Sequence, residues 1–227
     1  MKFFNSPRIP LKEEQFINAD TARFYNEHAR RFMIPVYRQF AAKVAKINLP
    51  AQRVLDIGTG SGLLAIELAK ARPDWQIIGT DISEEMLKLA RENARREGLA
   101  DRIDFWQYSA EALPFEDDCF GLVVSNASLH LWTDPIKIFK EIARVAAPGG
   151  YCLIWDNLRL TALLPFLRWL GWVMGMNKEQ RRLWLQAIQS SYTINEAKTL
   201  LVKSVLEDAR VTINPGLLEL CIQWQKR

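Results

Sequence analysis

Cysteine and histidine are scarce in this chain. Three cysteines, Cys119, Cys152 and Cys221, and two histidines, His28 and His130, stand among 227 residues. No pair has the spacing of metal ligands, which argues against a zinc site. An odd number of scattered thiols argues against a disulfide scaffold. Cys152 and Cys221 fall within expected strands and read as core thiols of a protein in a reducing cytoplasm. The N-terminus lacks the apolar core of an export signal, so a cytoplasmic location is expected. A basic stripe interleaved with aromatics is also missing. The formal charge of +4 tolerates anionic partners without calling for nucleic acid, and the Arg95-Arg96 and Arg181-Arg182 pairs read as solvated helix faces. There is no internal repeat and no low-complexity segment.

Long uninterrupted apolar runs are wanting too. The strongest, from Leu158 to Met176, holds Arg159, Arg168, Pro165, Gly171 and Gly175, which argues against a membrane span. With 49% apolar and 25% charged residues, the composition is that of an ordinary globular enzyme, and the length suffices for one good core.

Residues 1–14 are polar, carry Pro7 and Pro10, and read as an arm. Residues 15–47 read as two helices broken near Pro35, with Phe24, Phe32, Tyr37 and Phe40 as anchors; 1–47 is thus expected to form an N-terminal helical cap on a domain spanning 48–227. From there strand and helix alternate, the pattern of a parallel sheet. Strands are expected near 53–57, 76–81, 103–108, 120–125 and 150–156, and helices near 62–71, 84–97, 135–145 and 194–208. Thr193 and Glu196 form a capping-box pair opening the last helix. Two closing strands, 210–213 and 217–224, flank the turn Asn214-Pro215-Gly216. Residues 158–192 break the alternation and read as an insertion. Its apolar half, 158–176, reads as a lid over the substrate, as an interfacial patch with Trp169, Trp172 and Arg168 suited to peripheral membrane contact, or as simple packing against the first two helices.

The most informative stretch is Arg53-Val-Leu-Asp-Ile-Gly-Thr-Gly-Ser-Gly62. An apolar strand ends near Asp56, glycines follow at 58, 60 and 62, and an amphipathic helix begins with Leu63, Leu64, Ile66 and Leu68. Glycines between strand and helix let a ligand approach the backbone closely. Asp56 would repel a pyrophosphate and attract a ligand bearing an amino group and a sulfonium. Position 63 is Leu, so the dinucleotide fingerprint fails at its third glycine. A second acid, Asp81, ends the next apolar run about twenty residues on, where a carboxylate accepts hydrogen bonds from ribose hydroxyls. Ser83 is the better cap for the helix that follows.

With Gly79-Thr-Asp81-Ile-Ser83, Ser109-Ala-Glu-Ala-Leu-Pro-Phe115, Phe120-Gly-Leu-Val-Val-Ser125, Leu129-His130 and Pro148-Gly149-Gly150 in the same order, residues 50–157 resemble the class I S-adenosylmethionine-dependent methyltransferases. The likeness is strongest to the small-molecule branch that includes ubiquinone and menaquinone biosynthesis enzymes. The resemblance implies an α/β, Rossmann-like sheet, mostly parallel with an antiparallel C-terminal strand and helices on both faces. It implies S-adenosylmethionine as cofactor and a small-molecule or lipid-like hydrophobic acceptor. It also implies a cofactor pocket built from Asp56, Gly58, Gly60, Asp81, Ile82, Ser109, Ala110 and Asn126. Asp56 would face the methionine amino group, with backbone carbonyls of Gly58 and Asn126 beside it. Ile82 would pack on adenine, and the Ala110 N–H would meet the ring. The family often has an acid where this chain has Ser109, whose hydroxyl oxygen would have to replace it. Glu111 reads as a helix-start acid.

On the acceptor side the candidates are His130, Tyr25, His28 and Trp132. His130 follows the fourth strand at the ligand-binding edge of such sheets and has the chemistry to orient or deprotonate an acceptor; the bland reading is a structural histidine bonded to a loop carbonyl. Tyr25 and His28 share a helix face by their i, i+3 spacing and serve equally as packing residues. No dedicated base is required, because positioning an activated methyl donor supplies much of the rate by itself. A non-catalytic S-adenosylmethionine sensor or scaffold is the alternative from another class. A nicotinamide-dependent oxidoreductase is disfavoured by Leu63 and Asp56. The Asn/Asp-Pro-Pro-aromatic motif of base methylation is absent, the chain having Ser125-Asn126-Ala127-Ser128 there.

Overall fold

The computed structural model describes residues 7–11, 18–214 and 218–227. Seven strands form one sheet: β1 (Arg53–Ile57), β2 (Gln76–Asp81), β3 (Ile103–Gln107), β4 (Phe120–Asn126), β5 (Ala146–Asn157), β6 (Arg210–Asn214) and β7 (Glu219–Gln225). Their order is β3-β2-β1-β4-β5-β7-β6. The first five run parallel, and β7 pairs antiparallel with both β5 and β6. The helices are α1 (Ala19–His28), α2 (Ile34–Val44), α3 (Leu63–Ala71), α4 (Glu84–Arg96), α5 (Pro135–Val145), α6 (Leu164–Val173), α7 (Lys178–Ser190) and α8 (Ile194–Val202).

Central strands read as continuous apolar runs because helices cover both faces. Side chains alternate between two cores. Val54, Leu122, Val124, Leu153 and Trp155 pack with α2, α3 and α4. Leu55, Ile57, Val123, Cys152 and Ile154 pack with α5 and α8. Phe40 of α2 meets Trp155 edge-to-face at 4.7 Å, so the N-terminal helices share the sheet's core. The buried thiols Cys152 and Cys221 lie in β5 and β7.

Several expectations need correction. Pro35 does not break the N-terminal helices: it occupies the first turn of α2, where a missing N–H costs nothing, and a π-helical turn, Ala29–Met33, joins α1 to α2. The last helix stops at Val202, not 208; Lys203 caps it, and Ser204 Oγ accepts from the Leu206 N–H in the turn beyond. The strand expected at 150–156 begins at Ala146, where it pairs with Phe120 before a register shift. Of the supposed arm, the described stretch is docked: Arg8 donates to the Ser190 and His130 carbonyls and the Ile9 N–H to Gln189. Residues 1–6 and 12–17 lie outside the described residues, as do Pro215, Gly216 and Leu217 of the expected turn.

Parallel connectivity brings the loops after β1, β2, β3, β4 and β5 to the same edge of the sheet. Ligands bind there in open α/β folds.

Candidate active site

A cavity of about 270 Å³ opens at that edge. Each of the residues singled out from the sequence lines it: Asp56, Gly58, Gly60, Asp81, Ile82, Ser109, Ala110 and Asn126 on one side, with Tyr25, His28, His130 and Trp132 on the other.

The glycine loop is held by its acids. Asp81 accepts the Gly60 N–H through Oδ2 and the Ser83 N–H through Oδ1, each at 2.9 Å. The Ser83 hydroxyl separately caps α4 by accepting from Met86. Burial raises the Asp81 carboxyl above its usual range, opposed by the N–H groups of Ser83, Gly60 and Ile82. Gly60 has φ +55°, and a Cβ there would meet nothing within 4 Å, so its bare backbone faces open space. Gly62 has φ +75°, and a Cβ there would lie 2.7 Å from the Phe105 ring. The first position suits close approach of a ligand, and the second suits close packing of loop on sheet.

Asp56 is buried at the floor and accepts from the Thr59 hydroxyl at 2.7 Å. Burial pushes its carboxyl up to about 7; the Thr59 hydroxyl pulls the other way, and the nearby Asp81 charge adds to the rise. Glu219 is likewise pushed up to about 8 by burial and by the Asp156 charge. Such groups bind protons more tightly when folded than when unfolded, so their ionisation works against the fold. Stability is therefore expected to fall as pH rises from about 4 to about 7, through the Asp56 window, and Asp56→Asn should flatten this slope. Thermal melts across that range check it; a wild-type slope retained in the variant would contradict the assignment.

The Asn126 side chain is open: among the described residues neither Oδ1 nor Nδ2 has a hydrogen-bond partner, although both are buried. Ile82, just past the end of β2, is exposed in the cavity lining. The Ser109 hydroxyl accepts the Glu111 N–H at 3.2 Å. Glu111 starts no helix; it pairs with Lys137 at 3.2 Å.

His130 is buried and fixed by an acid, not by a loop carbonyl. Its Nδ1 lies 2.7 Å from Asp156 Oδ1, and its backbone N–H donates to Asp156 Oδ2 at 2.8 Å. That leaves Nε2 without a hydrogen bond among the described residues. Trp132 is mainly core, packed edge-to-face on Phe139 at 5.8 Å. Tyr25 is pushed up to about 12 by burial, moderated by Arg182. His28 sits 4.9 Å from the Phe32 ring, and burial lowers its pKa, which keeps it neutral at pH 7.

Two contributions escaped the sequence reading. Asp156 lies near the end of β5, as Asp56 and Asp81 lie at the ends of theirs, and the same acid-at-strand-end pattern would have found it. The cavity's outer wall comes from α7 through Gln180, Leu183, Trp184 and Ala187, at helical spacing on one face. The apolar half of the insertion, 158–176, contributes nothing to the lining.

A family model described as a methyltransferase domain matches residues 49–205. The ubiquinone/menaquinone biosynthesis C-methyltransferase of Pectobacterium atrosepticum is 38% identical over 104 residues, which are 45% of this chain and 41% of that protein. That of Vibrio campbellii is 36% identical over 106 residues, 46% and 41% of the two chains. The match thus spans less than half the length of these curated relatives. Among solved structures, an S-adenosylmethionine-dependent methyltransferase of Aquifex aeolicus superposes with a TM-score of 0.65 at 18% identity, over 92% of this chain and 99% of that one. A plantazolicin methyltransferase in complex with S-adenosylhomocysteine gives 0.73 at 16% identity, over 95% and 93%. At such identities the structures speak for the fold alone, and the family model, covering well over half of the sequence, decides the rest. The chain belongs to the class I S-adenosylmethionine-dependent methyltransferases.

Proposed function

We propose that the cavity binds S-adenosylmethionine along the β1–β2–β4 edge and takes a small, largely apolar or lipid-like acceptor beneath α1 and α7. The observation that carries this reading is the arrangement of Asp56, Gly60 and Asp81: a buried acid at the floor, a bare backbone face, and a second acid at the adjoining strand end. When bound, the cofactor supplies a methyl group on a sulfonium that needs no further activation. Asp56 and the Asn126 amide suit the amino-acid end, Asp81 the ribose hydroxyls, and Ile82, Ser109 and Ala110 the adenine. These residues fit because each offers a group the ligand lacks: charge for its ammonium, acceptors for its hydroxyls, an apolar face for its ring.

The rest of the work is positioning and exclusion of water. Holding donor and acceptor in line is worth about 7–11 kcal/mol. Leu183, Trp184 and Ala187 make the acceptor side apolar, in keeping with the quinone-biosynthesis names of the curated relatives. Tyr25, His28 and Trp132 border the same space. As the acceptor–carbon bond forms, the carbon–sulfur bond of the donor breaks and the acceptor loses a proton, which His130 Nε2 would take. Asp156 holds the ring by Nδ1 and stabilises the imidazolium that results.

Incubation with methyl-labelled S-adenosylmethionine and a fractionated lipid extract tests the reading. Label should pass into an organic-soluble product. Cofactor binding without transfer to any fraction would favour a sensor or scaffold. Tight NAD binding with no S-adenosylmethionine binding would overturn the cofactor assignment.

A further inference from the structure

We propose that α6 docks the protein on an anionic lipid surface. This helix is inside out. Phe166, Trp169, Trp172 and Val173 are 52%, 56%, 67% and 53% exposed, and together they cover one side of the helix. Its buried residue is Gly171. A Cβ at Gly171 would lie 3.0 Å from the Arg181 side chain and 3.3 Å from the Trp184 ring, so the small face is the one seated on α7. The Phe166 and Trp169 rings stand 5.7 Å apart and form a continuous apolar surface. Single exposed apolar residues are ordinary, but four on one short helix face mark a contact surface.

Length and charge choose the occupant. Ten residues reach about 15 Å, half of a bilayer core, so the helix can lie in an interface without crossing it. No helix among the described residues is long and apolar enough to span a membrane. From Asn157 to Lys178 there is no aspartate or glutamate; Arg159 is buried and paired with Glu196, which leaves Arg168 and Lys178 as the exposed cations of this stretch. Arg168 is exposed, lies beside Trp169, and has no ion pair among the described residues. Tryptophan with a flanking arginine suits the headgroup boundary, where the ring is half-apolar and the guanidinium meets phosphate. A second copy of the chain would be a poor occupant. A two-fold contact would set Arg168 and Lys178 against themselves with no acid from α6 to pair them. Docking would bring α7, whose Trp184 touches both α6 and the cavity, against the lipid. This link to acceptor entry rests on the methyl-transfer reading, whereas docking itself does not.

Co-sedimentation with phosphatidylcholine vesicles, with and without phosphatidylglycerol, tests the proposal. The wild-type protein should pellet with phosphatidylglycerol vesicles and much less with phosphatidylcholine alone, and added salt should weaken pelleting. The double variant Trp169→Ser/Trp172→Ser should lose vesicle affinity at least about tenfold while still binding S-adenosylhomocysteine, which reports an intact fold. Arg168→Glu, which leaves the aromatic face in place, should weaken binding to phosphatidylglycerol vesicles selectively. Absence of pelleting, or pelleting indifferent to both variants, would overturn the proposal. So would sedimentation velocity showing a dimer that the tryptophan variant dissolves, which would make a second copy the occupant. None of these results depends on turnover.

Discussion

Replacing Asp81 with alanine is expected to weaken S-adenosylmethionine binding by about 1.5–3 kcal/mol, roughly 10- to 150-fold. Two effects add. The ribose hydroxyls lose a charged acceptor, and the glycine loop loses its tie, since Asp81 holds the Gly60 and Ser83 N–H groups at 2.9 Å. Asn at this position keeps one acceptor oxygen and should fall between the two. The fold should persist, because β2 ends at Asp81 and the Ser83 hydroxyl still caps α4. Calorimetric titration of the purified variant, with a thermal melt to verify folding, checks the expectation. Wild-type affinity would show that neither a ribose contact nor the tie to the glycine loop contributes to cofactor binding.

The second large effect is expected at His130. His130→Ala should lower kcat by roughly 10²- to 10⁴-fold, the usual contribution of a positioned general base, with cofactor affinity close to wild type. The imidazole is poised because Asp156 fixes Nδ1 at 2.7 Å, which determines which nitrogen faces the reaction. Asp156→Asn would act through His130, loosening the hold on Nδ1 and removing the charge that stabilises the imidazolium. It should reduce kcat less than His130→Ala and alter the pH profile, with little change in cofactor affinity. Single-turnover measurements at saturating cofactor separate the two. Full turnover in His130→Ala would mean that proximity alone suffices and that the histidine is a structural member of the loop.

Much of this was legible in the sequence because the signals are local. A run such as Val54–Ile57 followed by alternate glycines can be placed by period and turn chemistry alone. Asp81 ends the next apolar run, the position from which an acid would meet the sugar of a bound nucleoside. The closing strands are marked by the turn signal Asn214-Pro215-Gly216 between two strand-like runs, although residues 215–217 fall outside the described residues. Other features depend on tertiary contact. The partnership of His130 with Asp156 joins residues 26 apart, and its only sequence trace is an acid at the end of an apolar run. The role of α7 as the cavity wall was hidden because its Leu183 and Ala187 look like any core stripe. Trp169, Trp172 and Arg168 suit an interface already in the sequence, but that α6 turns its aromatics outward follows from Gly171 being the side that fits against Arg181 and Trp184. The overlong estimate of α8 failed for a related reason. Leu206 continues the apolar pattern but is buried from a turn.

The most direct test of the account is a crystal structure with S-adenosylhomocysteine bound. The ribose hydroxyls are expected on the Asp81 carboxylate, the amino-acid end beside Asp56, Gly58 and Asn126, and the adenine against Ile82 and Ala110. The sulfur should face the space between His130, Tyr25 and Trp184. A ligand seated elsewhere, or one whose ribose leaves Asp81 bonded only to Gly60 and Ser83, would contradict it.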